Sequence, residues 1–264
     1  MPGRIVRTGR AALAAGLLLM EPQWAYQSAG SPGEKAARVE SARPVETLHY
    51  GIEWRLVRAG TATLARTPRS DAGWESTLVL ESAGLVSKLY RVKDEYRVLY
   101  DSAFCASATT MHAEEGSRRR DTTVHFDRDE KKSHYLEKDL VKGNVVLERT
   151  LEIPSCVHDV VTALTRLRAM KLKPGQTVQL PVTDGKKAIS ARVDAQEKET
   201  VKTPAGTYQT VRYEAYLFND LLYKRQGRLF VWLTDDEKQL PVQIRARLSF
   251  PVGTISFQLE KVGN

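Results

Sequence analysis

Apolar and polar residues alternate along most of the chain with the two-residue period of half-buried β-strands. The clearest segment carries its apolar side chains at Leu48, Tyr50, Ile52, Trp54 and Leu56. Comparable short segments follow, separated by turn sequences such as Asp184-Gly185 and Pro204-Ala205-Gly206. The pattern predicts a mainly β protein: an antiparallel curved sheet of about a dozen strands. It fits an open half-barrel and a filled sandwich equally, because the inward residues of both alternate in the same way.

One segment replaces this alternation with the 3.6-residue period of an amphipathic helix. Its apolar face consists of Val157, Val160, Val161, Leu164 and Leu167. Ser155 and Asp159 are both suitable caps for its first turn, and Pro174-Gly175 ends the segment with a turn. The sequence therefore predicts one principal helix over about residues 155–171, packed on or across the sheet.

The first thirty residues have the order of a secretory signal peptide. Arg4, Arg7 and Arg10 precede an uncharged run from Ala11 to Met20. Such a run, about ten residues long, is too short to cross the hydrocarbon core of a bilayer as a helix. We expect a Sec-type signal peptide that is removed; a buried terminal helix and an uncleaved signal anchor are the alternatives.

The sequence predicts three consecutive parts of the chain. Residues 1–30 are the predicted signal peptide, residues 31–44 are polar and small and predict a flexible lead-in, and residues 45–264 predict a single β-rich domain. No uncharged apolar stretch of about eighteen residues follows residue 30, so we expect the mature chain not to span a membrane. The predicted location is periplasmic or secreted.

The charge of the chain is moderate and mixed in sign. The formal net charge is +8, but acidic and basic residues interleave along most segments. Together with export, this distribution predicts no nucleic-acid partner. The densest basic cluster, Arg118 to Arg120, fits contact with anionic lipid headgroups, or a turn or strand edge blunted by charge.

Two cysteines, Cys105 and Cys156, are present. In an oxidising compartment such a pair is typical of a structural disulfide. A catalytic thiol would need a base and an electropositive setting. His158 lies two positions after Cys156, but proximity along the chain does not set side-chain geometry. We therefore expect a Cys105–Cys156 disulfide.

The second half of the chain contains a series of motifs in a specific order. They are Asp-Val-Val-Thr-Ala-Leu from Asp159, Arg-Leu-Arg from Arg166, Lys-Pro-Gly-Gln-Thr from Lys173, Thr-Pro-Ala-Gly-Thr-Tyr from Thr203, Val-Trp-Leu-Thr-Asp-Asp from Val231, and Leu-Pro-Val from Leu240. In this order the chain resembles the DUF3108 family, bacterial exported proteins of unknown function, over roughly residues 45 to 262. The resemblance implies an envelope location and a β-rich fold. By analogy, such a fold is similar to the open half-barrels of lipoprotein-carrier proteins. It brings no catalytic residues, and the cysteine pair is not expected throughout such a family.

The sequence contains none of the common catalytic motifs. The five histidines form neither H-x-x-H nor H-E-x-x-H, and no nucleophile elbow, Walker loop or dinucleotide-binding glycine motif follows a predicted strand. We therefore predict no catalytic, cofactor-binding or metal-binding residues. A hydrolase with an unrecognised site is the third functional alternative.

The leading functional hypothesis is a non-enzymatic binding or carrier module for an apolar ligand or lipid, because a curved sheet crossed by a helix can enclose an apolar cavity. The candidate pocket residues are Tyr50, Ile52, Trp54, Tyr216, Phe218 and Leu222. For the last three, a buried strand pair joined by an Asn219-Asp220 turn is equally compatible with the pattern. The second hypothesis is a protein-interaction scaffold in envelope biogenesis that uses exposed strand edges.

Overall fold

The computed structural model describes residues 45–217, 227–249 and 252–263, and strands dominate these ranges. The strands are β1 (Glu46–Trp54), β2 (Val57–Pro68), β3 (Trp74–Ser82), β4 (Val92–Tyr100), β5 (Ala106–Glu115), β6 (Arg118–Asp127), β7 (Lys132–Asp139), β8 (Asn144–Glu152), β9 (Thr177–Thr183), β10 (Ala188–Thr203), β11 (Gly206–Ala215), β12 (Gly227–Thr234), β13 (Pro241–Leu248) and β14 (Thr254–Gly263). The helices are α1 (Gly84–Leu89) and α2 (Val160–Met170). The mainly β fold class with one principal helix is confirmed.

The strands form one 14-stranded antiparallel sheet in the order β8-β7-β6-β5-β4-β3-β2-β1-β14-β13-β12-β11-β10-β9. All neighbours but one are consecutive in the chain, because short turns favour hairpin pairing. The exception is β1 with β14, which pair from Thr47 opposite Gly263 to Trp54 opposite Ile255. The two ends of the domain therefore meet in the middle of the sheet, and β8 and β9 are its edge strands.

The segment between β8 and α2 connects the two halves of the sheet across its concave face. His158 N donates to Pro181 O on β9, and Thr183 N donates back to His158 O, both at 2.9 Å. One residue earlier, Val157 O accepts a hydrogen bond from Ala106 N of β5 at 2.9 Å. This segment therefore covers the β9 edge, which would otherwise carry unpaired backbone groups.

The turn between β9 and β10 also reaches the first half of the sheet. Ser133 Oγ on β7 donates to Gly185 O at 3.3 Å. Gly185 has φ of +84°, and a Cβ atom at this position would lie 2.8 Å from the side chain of Val124. Both the conformation and the close approach therefore require glycine at this point of contact.

Helix α2 begins at a capping box. The Asp159 carboxylate accepts from Val161 N at 3.0 Å and from Thr162 N at 2.9 Å, and Asp159 N donates to Thr162 Oγ1 at 3.0 Å. Of the two predicted caps, Asp159 is the one used. The helix starts later than the predicted position near residue 155, because Val157 and His158 pair with strands and so cannot adopt helical dihedral angles.

Strand β12 is buried on both faces. Val231 and Leu233 belong to the cluster that packs against α2, whereas Phe230 and Trp232 belong to a second cluster with Leu48 and Val242. Consecutive strand residues point to opposite faces, so both faces of this strand contribute to the core. Within the described ranges, no helix is long and apolar enough to cross a membrane.

Candidate functional site: an apolar cavity under helix α2

A cavity of about 300 Å³ lies between helix α2 and the concave face of the sheet. The helix contributes the face formed by Val160, Val161, Ala163, Leu164 and Leu167. The sheet contributes residues from both halves, among them Leu64 on β2, Leu180 on β9 and Phe257 on β14. The apolar face that the sequence assigns to packing on the sheet therefore also encloses this space.

Small side chains make room for the cavity. Ala62, Ala163, Ala191 and Ala215 all form part of its wall, and each is buried. Protein interiors are close-packed, so a space of this size persists only where side chains are too short to meet across it. The alanines on opposing elements create this gap between α2 and the sheet.

The cavity wall has almost no polar chemistry. Tyr50 is the only lining residue in the described ranges with a polar side-chain atom, and its hydroxyl donates to Pro241 O at 2.8 Å. Burial raises the pKa of Tyr50 well above its usual value, so the phenol stays protonated. The described wall therefore offers no nucleophile and no general acid or base for neutral pH, and it suits apolar groups that bind by burial.

Helix α2 is fixed at both ends. At its start, the Tyr96 hydroxyl on β4 donates to Asp159 Oδ2 at 2.8 Å. Near its end, the Arg168 guanidinium makes two hydrogen bonds of 2.7 Å to the Glu46 carboxylate and one of 2.8 Å to Gln239 O. These contacts join the helix to β4, to the start of β1 and to the β12–β13 connection, and so hold it over the cavity.

The first strand places one of its three candidate pocket residues in this wall. Tyr50 lines the cavity, and Ile52 packs beside it against the cluster that contains Leu48. Trp54, at the end of β1, is 38% exposed, and its indole nitrogen donates to Val252 O at 2.6 Å. Trp54 is the last residue of β1, at the end of the sheet, and it does not line the cavity that Tyr50 lines.

The second group of candidate residues follows β11. Tyr216 is 39% exposed, and its hydroxyl donates to Asp194 Oδ2 at 3.2 Å, away from the cavity. Its neighbours Ala215 and Leu217 line the cavity instead, because successive strand residues point to opposite faces. Phe218 and Leu222 lie outside the described residues.

Sequence reasoning did not find the residues of β9 to β13 that line the cavity. Leu180, Ala191 and Ile244 lie in three different strands, and only the curvature of the sheet brings them under one helix. The available signal was the short alanine side chain inside strands that otherwise carry large apolar residues. Short side chains in a strand indicate a possible space beside that strand, but they do not show which element lies across it.

Cys105 and Cys156 form a disulfide, as expected. His158 does not act on this pair: its Nδ1 hydrogen-bonds with Phe104 O at 2.8 Å, and burial lowers its pKa. Among the residues that the structure describes, no group of three or more His, Cys, Asp or Glu side chains is placed to hold a metal ion.

The basic cluster is neutralised within its own turn and neighbouring strands. Arg118 pairs with Glu115, Arg119 with Glu114, and Arg120 with Glu137. These ion pairs favour the interpretation of a charged hairpin rather than a dedicated polyanion site.

The fold and the cavity together define the class of protein: an open, curved antiparallel sheet with a helix over an apolar space on its concave face. The model of the family described as protein of unknown function DUF3108 matches residues 47–260. The chain therefore belongs to this family, and the resemblance found in the sequence is confirmed.

One solved structure shows a similar fold. A β-barrel-like protein of domain of unknown function DUF1849 from Brucella abortus matches with a TM-score of 0.53 and 11% identity, over 84% of this chain and 98% of the other. A DUF1089 family protein from Pseudomonas aeruginosa matches with a TM-score of 0.30 and 14% identity, over 76% of this chain and 90% of the other. At 11% identity, the first likeness shows a shared fold and nothing further. A search of curated proteins gives no significant match.

Proposed function

We propose that this chain is a non-enzymatic binding or carrier protein of the bacterial envelope, and that its cavity holds the apolar part of a ligand such as a lipid acyl chain. The observation that carries the proposal is the composition of the wall: among its described residues Tyr50 alone has a polar side-chain atom, and that atom is already hydrogen-bonded. Ligand pockets begin at about 300 Å³, the volume of this cavity. Each methylene group buried there contributes about 0.8 kcal/mol.

The location in the envelope rests on two features. The Cys105–Cys156 disulfide is stable in oxidising compartments such as the periplasm. The order of charged and apolar residues in positions 1–30 is that of an export signal.

Native mass spectrometry combined with organic extraction tests the proposal. The protein is purified from its native compartment without detergent, and we expect a stoichiometric apolar molecule that is released on denaturation. A bare protein that also takes up no lipid from an envelope extract contradicts the proposal.

Two substitutions locate the site. Ala191→Leu extends a side chain into the cavity and should abolish ligand uptake. Tyr216→Ser changes a residue of the sequence-predicted pocket that points away from the cavity, and it should leave uptake intact. Loss of ligand in Tyr216→Ser with normal uptake in Ala191→Leu would place the binding site elsewhere.

A second candidate function, a protein-interaction scaffold, is favoured by edge strand β8. Val145, Val146 and Leu147 on this strand are exposed, at 50%, 39% and 36%, and β8 pairs only with β7 among the described residues. An unpaired edge of this kind can accept an added strand from a partner. Val146→Lys places a charge on this edge strand, which opposes the addition of a further strand. It should abolish co-purification of a protein partner, whereas a Val146→Thr control should not.

A further inference from the structure

The exposed apolar side chains are concentrated at one end of the sheet. Since every strand is antiparallel to its neighbours, the connections between strands alternate between two ends. One end exposes Leu56, Val57, Leu85, Leu89, Leu140 and Val141. Leu56 is 93% exposed and Leu89 is 77% exposed. At the opposite end, the large apolar side chains exposed among the described residues are Val45 and Val262.

The connections at the first end form one continuous surface. We call it the apolar rim and define it as residues 54–58, 84–91, 116–119, 140–143 and 252–253.

Backbone hydrogen bonds join each part of the rim to the next. Arg55 N donates to Thr254 O at 3.0 Å, and Ala83 N, just before α1, donates to Ala59 O at 2.8 Å. Further along, Gly116 N donates to Arg91 O at 2.7 Å.

At the far side of the rim, Leu140 N donates to Arg119 O at 2.9 Å. The exposed side chains are therefore held on a fixed set of turns rather than scattered over the surface.

Basic residues accompany the exposed apolar side chains of the rim. Three of them, Arg58, Arg118 and Arg119, pair with glutamates of the strands. Lys88, Arg91 and Lys142 make no ion pair with any described residue, so they remain available to an external anion.

At the opposite end, Asp71, Asp101 and Asp235 pair with Arg69, Arg128 and Lys198. The rim combines exposed apolar side chains with three basic residues that make no ion pair among the described residues. An anionic surface with an apolar interior attracts this combination.

We infer that the apolar rim docks the protein on the surface of a lipid bilayer that contains anionic phospholipids. Leu56 and Leu89 enter the boundary between headgroups and acyl chains, and Lys88, Arg91 and Lys142 meet the phosphate groups. Exposed apolar side chains beside unpaired basic residues are the combination that interfacial binding requires, because burial and electrostatic attraction add. The inference stands apart from the proposed cavity function, since it concerns different residues and needs no ligand in the cavity.

Vesicle flotation of the full chain tests the inference. The probes are vesicles of phosphatidylglycerol mixed with phosphatidylcholine, and vesicles of phosphatidylcholine alone. We expect the protein to float with the mixed vesicles, to bind phosphatidylcholine more weakly, and to lose binding to the mixed vesicles as salt is raised.

Two double variants assign the binding to the rim. Leu56→Glu with Leu89→Glu should weaken partitioning to mixed vesicles by about tenfold or more, because two side chains no longer enter the bilayer. The control, Val45→Glu with Val262→Glu, introduces the same charges at exposed apolar positions of the opposite end and should leave partitioning unchanged. Residues 1–44 are identical in all these proteins, so they cannot account for a difference between the two double variants.

A charge variant tests the second part of the surface. Lys88→Glu with Arg91→Glu should lower binding to the mixed vesicles and leave the weak binding to phosphatidylcholine unchanged. Equal flotation of the wild type and the Leu56/Leu89 variant overturns the inference. Absence of wild-type flotation also overturns it, even if the same rim binds an envelope protein. Circular dichroism of each variant checks its fold, which we expect to be retained because the substituted positions are exposed.

Discussion

The guanidinium of Arg168, near the end of helix α2, meets the carboxylate of Glu46 at the start of β1 through two parallel hydrogen bonds of 2.7 Å. The two side chains are only 14% and 23% exposed. Bidentate geometry of this kind is among the strongest hydrogen-bonding arrangements in proteins. Because Arg168 also donates to Gln239 O, one side chain joins the helix to two separate parts of the sheet.

Removing this guanidinium should loosen the helix over the cavity. Arg168→Met leaves the Glu46 carboxylate half-buried without its partner, and we expect a loss of about 1–3 kcal/mol in the free energy of unfolding. Urea denaturation measures the loss, and hydrogen exchange should show faster exchange in α2. Arg166→Met is the control, because Arg166 lies on the same helix and makes no ion pair with any residue in the described ranges. Equal effects of both substitutions would contradict the role of the Arg168–Glu46 pair.

A larger side chain should destabilise the protein much less when it points into the cavity than when it points into the packed core beside it. Ala191 lines the cavity, whereas Ala195 lies in the same cluster on the same strand but outside the cavity wall. We expect Ala191→Leu to change the free energy of unfolding little or to raise it, because the added atoms occupy empty space. Overpacking at Ala195→Leu should cost about 1–3 kcal/mol. Thermal and urea unfolding of both variants check this, and a comparable loss in both would argue against an open cavity.

Loss of the disulfide should destabilise the whole domain. Cys105 and Cys156 are separated by 51 positions. In the chain-entropy model, a closed loop of this length contributes about 4 kcal/mol to the free energy of unfolding. The variant in which both cysteines are replaced by serine should lose most of that amount in urea denaturation. Reduction of the wild type should produce the same loss, and wild-type stability in the reduced protein would contradict the prediction.

A buried carboxyl group on β4 should make stability depend on pH. Asp94 is 5% exposed and accepts a hydrogen bond from Glu114 N at 3.1 Å. Burial, with a smaller contribution from Glu115, raises its pKa to about 6. The folded state therefore favours the protonated form, so the stabilisation is complete at low pH and is lost as the pH rises through about 6.

Asp94→Asn keeps the acceptor oxygen and removes the ionisation. Relative to this variant, the wild type should lose about 1 kcal/mol in the free energy of unfolding between about pH 4 and pH 7, after allowance for solvent screening. Asp71→Asn is the control: the Arg69 guanidinium lowers the pKa of Asp71, so this variant should show no such change in that pH window. A difference between wild type and Asp94→Asn that does not vary with pH would contradict the prediction.

Local patterns explain how much of the fold could be predicted. The alternation at Leu48, Tyr50 and Ile52 and the helical period around Val161 depend only on which face of an element is buried, so both elements are visible in the sequence. The helix boundary was less predictable. His158 lies inside the segment with the helical period, yet its backbone makes hydrogen bonds with β9. The local pattern cannot reveal a partner so far along the chain.

The candidate site was predictable only in part, for the same physical reason. Tyr50 could be assigned to an inward face, but Trp54 continues the same alternation and lies at the end of β1, and the alternation does not show how far along the strand the cavity extends. Tyr216 illustrates a second difficulty: a shift of one residue exchanges the two faces of a strand, so Ala215 and Leu217 reach the cavity in its place.

The sequence by itself determined the class of secondary structure, the principal helix, the cysteine pair and the family, because these depend on local periodicity, residue type and motif order. Tertiary structure alone decided that β1 pairs with β14, that α2 spans the concave face, and that alanines from distant elements enclose a cavity. It also decided that the exposed apolar turns lie together at one end. These features arise from the curvature and register of a 14-stranded sheet, which are set by contacts between residues far apart in the chain.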